Sequence, residues 1–269
     1  MTVTVDVRPS GIQSGVVAAP FDKAYDELTA TGYDVISLAQ NVDLRLAQGR
    51  DSEVTRNGNY VLNGQVYRKG EKGVFVAVSP LITNAALRTQ AVEANRNGRY
   101  LDTQDGVLYD EVRRLVDEDA SRDPHDRRAM LLPADKAFPL SPQKNPELFA
   151  MALGKNGAAY LDMIGQDSVT FYPIEQGTLK DYAASVPTQL WFRGHGGVVQ
   201  SELFGNFRGL DCGDRVRGVR NVSVAEGHAR EGSVGTQNSE LYTSAQVRNA
   251  LRELLPGLEA QLFERLQGK

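Results

Sequence analysis

The stretch Tyr60-Val61-Leu62-Asn63-Gly64-Gln65-Val66-Tyr67 carries the clearest β signal in this chain of 269 residues. Asn-Gly at its centre supplies two residues that tolerate positive φ, which a two-residue hairpin turn requires. In that register the two valines face each other, as do the two tyrosines, so cross-strand pairs reinforce the turn. The sequence therefore predicts a β-hairpin that turns at Asn63-Gly64.

Further strands are predicted on both sides of the chain's midpoint. A glycine-containing turn at 69–73 leads into the apolar run 74–78, which extends the hairpin to an antiparallel meander over 60–78. Strand patterns separated by glycine-rich turns recur at 168–174, 188–193, 198–208 and 215–222, and residues 2–7 alternate Thr and Val. These patterns predict a second antiparallel sheet in 168–222.

Apolar residues at helical spacing predict several amphipathic helices around these sheets. The predicted segments are 20–31, 34–49, 80–95, 108–119, 146–153, 158–164 and 243–255, with a further piece at 256–266. Asp34 is the expected N-cap of the second helix, and a strand at 33–38 is the alternative. The predicted fold class is α+β, with antiparallel sheets flanked by helices.

The chain is predicted to form one compact unit over residues 1–269. Five prolines punctuate the polar segment 121–146, so the alternative is a division into subdomains there. Hydrophobic residues make up 41% and charged residues 24%, which are ordinary values for a globular protein and unlike those of disordered chains.

Several absences in the sequence narrow the class of protein. No apolar run is long enough to cross a bilayer, and the N-terminus has no signal-peptide pattern. Cys212 is the single cysteine, which excludes an internal disulfide and a cysteine-cluster metal site. These features predict a cytoplasmic protein without a membrane partner. The net charge of −4 has the wrong sign for a dedicated nucleic-acid coat protein.

Standard mechanistic motifs are missing, so no cofactor and no metal are predicted. The chain has no phosphate loop, dinucleotide-binding glycine motif, nucleophile elbow or paired-histidine zinc motif. The segment Asp123-Pro124-His125-Asp126 has metal-ligand residue types, but no second ligand cluster accompanies it. Asp123 followed by Pro124 is better explained as an N-cap and a first-turn proline.

The segment 191–220 is the main candidate for binding, because it is locally basic in an acidic chain and contains interleaved aromatic residues. Arginine pairs with carboxylate or phosphate through two parallel hydrogen bonds, and aromatic rings can stack on nucleic-acid bases. The alternative is an ordinary sheet with a buried aromatic face and solvated arginines paired to Asp211 and Asp214. The predicted ligand-binding residues are Trp191, Arg193, Arg208, Arg215, Arg217 and Arg220.

A second hypothesis places catalysis at His195, which lies between glycines. With Cys212 as nucleophile and Asp211 or Asp214 as the orienting carboxylate, a Cys-His arrangement can be drawn. The alternative is a solvated loop tip for His195 and a small turn residue for Cys212. Nothing in the sequence shows that these side chains meet.

The sequence thus favours a binding or assembly protein over an enzyme. It would engage an anionic ligand or partner, nucleic acid included, through 191–220. The alternatives are a hydrolase or transferase centred on His195, and a structural subunit of a larger complex. The C-terminal piece, with Leu258, Leu262, Phe263 and Leu266, is a candidate surface for homo-oligomer formation.

The segment Arg-Val-Arg-Gly-Val-Arg at 215–220 resembles a terminal strand of several lectin-like folds. This likeness is confined to one short segment, and diagnostic partner residues are missing elsewhere in the chain. No residue role is carried over from it.

Overall fold

A mixed β-sheet runs through the computed structural model, which describes residues 4–7, 12–195 and 200–221. The eleven strands found in those residues are β1 Thr4–Val7, β2 Ile12–Ala18, β3 Asp34–Val35, β4 Asn59–Arg68, β5 Val74–Val76, β6 Ala129–Leu131, β7 Phe138–Leu140, β8 Val169–Tyr172, β9 Ser185–Phe192, β10 Glu202–Phe204 and β11 Arg215–Asn221. Their order is β1-β2-β11-β4-β9-β10-β8-β7. In addition, β3 pairs with β11, and β5 pairs with both β4 and β6.

The α+β class is confirmed, but the prediction of two separate antiparallel sheets is wrong. Strand β4 of the predicted N-terminal meander pairs along its length with β9 from the C-terminal third. The sheet is mixed, because β8 pairs with β10 and β4 pairs with β11 in parallel. Local patterns reveal strands, whereas this partnership joins residues more than a hundred positions apart.

The predicted turn at Asn63-Gly64 is also wrong, since β4 runs straight through it. Gly64 pairs with Val76 of β5 on one side and with Gln189 of β9 on the other. The Asn63 side chain accepts a hydrogen bond from Leu38 N at 2.6 Å and donates to the Ala77 carbonyl at 3.1 Å. Tertiary partners therefore hold this dipeptide extended. The turn at 69–73 is confirmed by the antiparallel pairing of β4 with β5, and Gly70 has a φ of 79°.

Gly64 is required for close approach. A Cβ at this position would lie 2.6 Å from Ser79 Cβ and 2.8 Å from the Thr188 carbonyl oxygen. Both neighbours are buried, so neither has room to move away. The register of β4 against β9 also shifts between Tyr60 and Gly64, which marks an irregularity of the kind that glycine often accommodates.

Eight α-helices occur in the described residues: α1 Phe21–Ala30, α2 Leu38–Gln48, α3 Glu53–Arg56, α4 Pro80–Thr83, α5 Ala85–Arg96, α6 Val107–Glu118, α7 Pro146–Leu153 and α8 Gly157–Ile164. Two 3₁₀ turns, Pro124–Asp126 and Thr178–Asp181, accompany them. The predicted helix over 80–95 is divided at Asn84, whose side chain caps α5. The other helix predictions between 20 and 164 agree with the structure apart from their end points.

The start of α2 differs from the prediction, because Ser37 rather than Asp34 is its N-cap. Ser37 Oγ accepts a hydrogen bond from Gln40 N, and the Gln40 side chain accepts one from Ser37 N at 2.8 Å. This reciprocal pair is a capping box. Asp34 lies instead in the short strand β3, which was the alternative for this segment.

Helices cover both faces of the sheet. Tyr60 and Val61 are neighbours in β4 but belong to different buried clusters, so these clusters lie on opposite faces. Helices α2, α7 and α8 pack in the cluster of Val61, while α1, α4 and α5 pack in that of Tyr60. Helix α6 covers a third cluster, which it forms with β4, β5 and β6.

Segment 121–146 contributes β6 and β7 to the sheet, and the Asp123 carboxylate caps the 3₁₀ turn by accepting from His125 N. In the described ranges, no helix has the length and apolar character of a membrane span. The predicted helices beyond residue 242 and the C-terminal oligomer surface lie outside the described residues, so the one-unit prediction for 1–269 stays a prediction.

Substituting Gly64 with alanine tests this packing. We expect Gly64→Ala to lower the free energy of unfolding by about 1–3 kcal/mol, the usual cost of forcing extra volume into a packed interior. Urea denaturation of wild type and variant provides the measurement. Gly177→Ala is the matched control and should be close to neutral, because a Cβ there meets nothing within 4 Å. Equal stabilities of the two variants would contradict the close approach.

Candidate functional site

The guanidinium of Arg45 lies completely buried between α2 and β9. Its Nη1 donates to Tyr160 Oη at 2.8 Å and to the Arg193 carbonyl at 3.3 Å. Its Nη2 donates to the carbonyls of Asn57 and Phe192, each at 3.3 Å, and its Cζ lies 3.8 Å from the Phe192 ring centroid. All these partners are neutral, and no described carboxylate forms an ion pair with it. The positive charge is therefore solvated by dipoles alone.

His195 lies beside this arginine and is only 8% exposed. Its backbone N donates to the Thr55 carbonyl at 2.7 Å, and its Nε2 lies 3.1 Å from Arg50 Nη2. A guanidinium can only donate, so Nε2 must accept, which assigns the proton of the neutral imidazole to Nδ1. Burial, followed by the charges of Arg50 and Arg45, lowers the pKa of His195. The solvated loop tip considered for this residue is wrong.

The backbone explains why His195 is held in this position. Gly194 packs directly against α3, where an added Cβ would collide with the carbonyl group of Arg56. Only glycine allows the 193–195 segment to approach the helix so closely. The glycine before His195 thus allows the backbone of the histidine to lie against α3.

Arg215 and Arg217 of β11 are two residues apart and point to one face of the sheet. One carboxylate bridges them: Glu53 Oε1 accepts from Arg215 Nη1, and Oε2 accepts from Arg217 Nη2. Arg217 also donates to Ser14 Oγ at 3.4 Å and is 3% exposed. Burial lowers the pKa of Arg217, whereas the Glu53 carboxylate opposes that change.

These groups share one electrostatic environment, which we call the basic cluster: Arg45, Arg50, His195, Arg215, Arg217 and Glu53. After burial, the charge of Arg45 contributes to the lowered pKa of both His195 and Arg217. Within the cluster, four guanidinium groups are set against the single carboxylate of Glu53. The described groups of the cluster therefore carry an excess of positive charge.

Three N–H groups of the basic cluster have no hydrogen-bond partner among the described residues. They are Arg45 Nε, Arg217 Nε and His195 Nδ1, and all three atoms are buried. A buried donor without an acceptor costs about 1–3 kcal/mol, so native proteins contain few of them. They are three of the ten buried side-chain polar atoms without a partner in the described part of the chain, and all three are donors.

The cluster has an accessible rim above a buried floor. Arg50 is exposed, and the side chains of Arg215 and Glu53 are 37% and 50% exposed. Arg45, Arg217 and His195 lie below them. A ligand could thus reach the rim groups from solvent while the floor sets the local charge.

Sequence reasoning identified His195, Arg215 and Arg217 but missed Arg45, Arg50 and Glu53. A signal for Arg45 was present, because it lies three residues after Val42 and seven after Leu38 on the buried side of α2. An arginine on an apolar helical face must either be paired or serve a purpose. No sequence signal connects Glu53 to β11, since the contact depends on the fold.

The remaining predicted arginines do not join the basic cluster. Arg193 pairs with Glu202 at 2.8 Å. Arg208 donates to the Gly98 carbonyl at 2.6 Å. Arg220 points to the other face of β11, where it donates to Gln13 and lies 4.9 Å from the Tyr33 ring centroid.

Trp191 packs with other aromatic residues. Its ring stacks on Phe207 at 5.4 Å between centroids and meets Tyr60 edge-on at 5.0 Å. The indole also lies where a Cβ on Gly58 would be. The Trp191 ring therefore packs against residues on its own side of the sheet and does not present an open face on which a base could stack.

Cys212 and His195 are not brought together. The Cys212 thiol is exposed and contacts Asp211 Oδ1 at 3.8 Å, whereas His195 contacts Arg50 and Thr55. Burial, followed by Asp211 and Asp214, raises the pKa of Cys212, which disfavours the nucleophilic thiolate. Burial and Asp211 likewise raise the pKa of Asp214. No described hydrogen bond links these acidic residues to the imidazole.

No protein-family model matches the chain, and no curated protein matches it. A solved chain from work on the accommodation of massive sequence variation in Nanoarchaeota by the C-type lectin fold aligns with 14% identity and a TM-score of 0.48. The alignment covers 80% of this chain and 99% of that one. The basic cluster is therefore interpreted from its own chemistry.

The lowered pKa of His195 predicts a pH dependence of stability. Histidine in the unfolded state binds a proton more readily than His195 in the folded state. The free energy of unfolding should therefore fall as the pH decreases through the unfolded-state pKa of about 6.5. The decrease should end once the folded-state histidine is also protonated. Urea denaturation between pH 7.5 and 5 measures this dependence. The His195→Gln variant should lose part of the decrease, because glutamine has no proton to gain. His125→Gln, at an exposed site, is the control and should follow wild type. Identical pH curves for both variants would contradict the assignment.

Proposed function

We propose that this chain is a binding protein that holds an oxyanion group of its ligand at the basic cluster. The observation that carries the proposal is the excess of positive charge in the cluster, where four guanidinium groups are set against one carboxylate. Two of these groups, on Arg50 and Arg215, are accessible at the rim. A ligand that supplies negatively charged oxygens would pair with the rim groups and balance the charge.

The chemistry of the donors selects carboxylate or phosphate groups. Guanidinium groups donate but never accept, and the neutral imidazole assigned to His195 also presents a donor to the site. Charge-assisted hydrogen bonds to carboxylate or phosphate are about twice as strong as neutral ones. A neutral or cationic ligand would leave the excess charge in place.

Glu53 indicates how such a group would bind. Its two carboxylate oxygens engage Arg215 and Arg217, one oxygen to each arginine. This is the arrangement that a carboxylate or phosphate of a ligand would adopt. Glu53 comes from the four-residue helix α3 and is half exposed. Its carboxylate would therefore compete with an anionic ligand for the two arginines at the rim.

The structure favours a compact anionic group over a nucleic acid. Nucleic-acid recognition through 191–220 depended on aromatic rings that stack on bases. Trp191 instead stacks on Phe207 and meets Tyr60 edge-on, and all three pack with the cluster that contains α1. Arg208 and Arg220 are also separated from the basic cluster. Binding of single-stranded nucleic acid is therefore the competing possibility that the experiment tests.

Neutralising the rim should weaken anion binding. We expect the double variant Arg50→Gln, Arg215→Gln to bind inorganic phosphate about tenfold more weakly than wild type, because it loses two charge-assisted donors. Isothermal titration calorimetry at low and high salt measures the affinity. The salt dependence should also decrease, since exposed charges are screened by ions.

The double variant Arg113→Gln, Arg114→Gln is the charge-matched control for this experiment. Both arginines lie on α6 and pair with Asp117 and Glu118, which do not belong to the cluster. This variant should retain wild-type affinity. Affinity that the rim variant keeps in full, or that the control variant loses equally, would refute the proposal. Tighter binding of single-stranded oligonucleotides than of phosphate would refute the compact-group assignment.

Removing the competing carboxylate should have the opposite effect. We expect Glu53→Gln to raise phosphate affinity several-fold and to lower the free energy of unfolding without phosphate, because buried Arg217 loses its anionic partner. Saturating phosphate should restore much of that stability. Thermal melts with and without phosphate measure both effects. If phosphate raised the melting temperature of Glu53→Gln and of wild type by the same amount, Glu53 would not compete with the anion.

A further inference from the structure

A second concentration of basic groups lies in a cavity of about 450 Å³, separate from the basic cluster. Its walls come from the segment after α5, the 3₁₀ turn Thr178–Asp181 and the loop before β11. The side chains that line the cavity are Arg99, Thr178, Lys180, Asp181, Tyr182 and Arg208.

Hydrogen bonds fix the walls of this cavity to one another. Arg208 Nη1 donates to the Gly98 carbonyl at 2.6 Å, which joins the loop before β11 to the segment after α5. Tyr100 N donates to Tyr182 Oη at 2.9 Å, and Tyr100 Oη donates to the Asn206 carbonyl at 2.6 Å. The cavity is thus held by three separate chain segments rather than by a single loop.

Cationic side chains predominate in the cavity. Arg99, Lys180 and Arg208 are set against the single carboxylate of Asp181, and none of them forms an ion pair within the described ranges. Most other described arginines do pair with a carboxylate. The described exceptions are Arg45 and Arg50 of the basic cluster, Arg99 and Arg208 here, and Arg220. Unneutralised arginines are therefore concentrated in two places.

We propose that this cavity is a second binding site, which takes a small phosphate-bearing ligand. Three cations match the three oxygens and double charge of a phosphate group, with two planar guanidinium forks and one compact ammonium. The Thr178 hydroxyl adds a neutral donor. The volume lies in the range of small-molecule sites, and the buried Tyr182 offers an apolar wall to the rest of the ligand.

The site is tested with inorganic pyrophosphate and calorimetry on the full chain. The starting protein carries Arg50→Gln and Arg215→Gln, so that binding at the basic cluster is weakened. In that background, Arg99→Gln with Lys180→Gln should weaken pyrophosphate binding at least tenfold, because two charge-assisted contacts are lost. Both residues are exposed, so the fold should be retained, which circular dichroism verifies.

The charge-matched control is Arg114→Gln with Lys136→Gln, at two exposed positions away from the cavity. This pair should leave pyrophosphate affinity unchanged. The second site is refuted if the background protein fails to bind pyrophosphate, or if the cavity pair and the control pair weaken binding equally. Binding of succinate as tightly as pyrophosphate refutes the phosphate assignment. Because the cavity pair and the control pair are compared in the same background, residual binding at the basic cluster contributes equally to both measurements.

Discussion

The buried guanidinium of Arg45 constrains much of the surrounding structure. An arginine retains its charge in proteins, so the interior must solvate it. Carbonyls of Asn57, Phe192 and Arg193 and the hydroxyl of Tyr160 provide that solvation, which fixes α2, α8 and the end of β9 relative to one another. The same charge helps to lower the pKa values of His195 and Arg217 after burial. Structural support and the charge of the proposed site therefore have one origin.

Much of the secondary structure follows from the sequence, since helical spacing and glycine or proline at segment ends are local signals. Helix α7 begins and ends at the predicted residues, and β11 begins at the predicted Arg215. The Asn63-Gly64 turn failed because its evidence was equally local. Ser79 and Thr188 surround Gly64, and Leu38 and Ala77 bond to Asn63, so the preference for a turn is overridden by partners distant in sequence.

The residues of the proposed site were predictable only where spacing alone determines a shared face. Arg215 and Arg217 alternate around Val216, so their common direction follows from strand geometry. Their partner Glu53 lies more than 150 positions earlier, and the sheet topology that joins them has no local signature. The prediction therefore found half of the cluster and placed Arg208 and Arg220 with it, although the fold separates them. Local basic excess identified the relevant residue type but not the geometry.

Strand β11 has a consequence for how the protein folds during synthesis. It lies between β2 and β4, and its first and last residues pair with Ala18 and Ile12 near the start of the described chain. Until this strand leaves the ribosome, β2 and the early part of β4 expose unpaired edges, which are prone to join other chains. Pairings between such distant segments also form slowly. The arginine pair of the basic cluster is carried on this late strand, so anion binding would report a completed sheet and could itself draw nascent chains toward the native state.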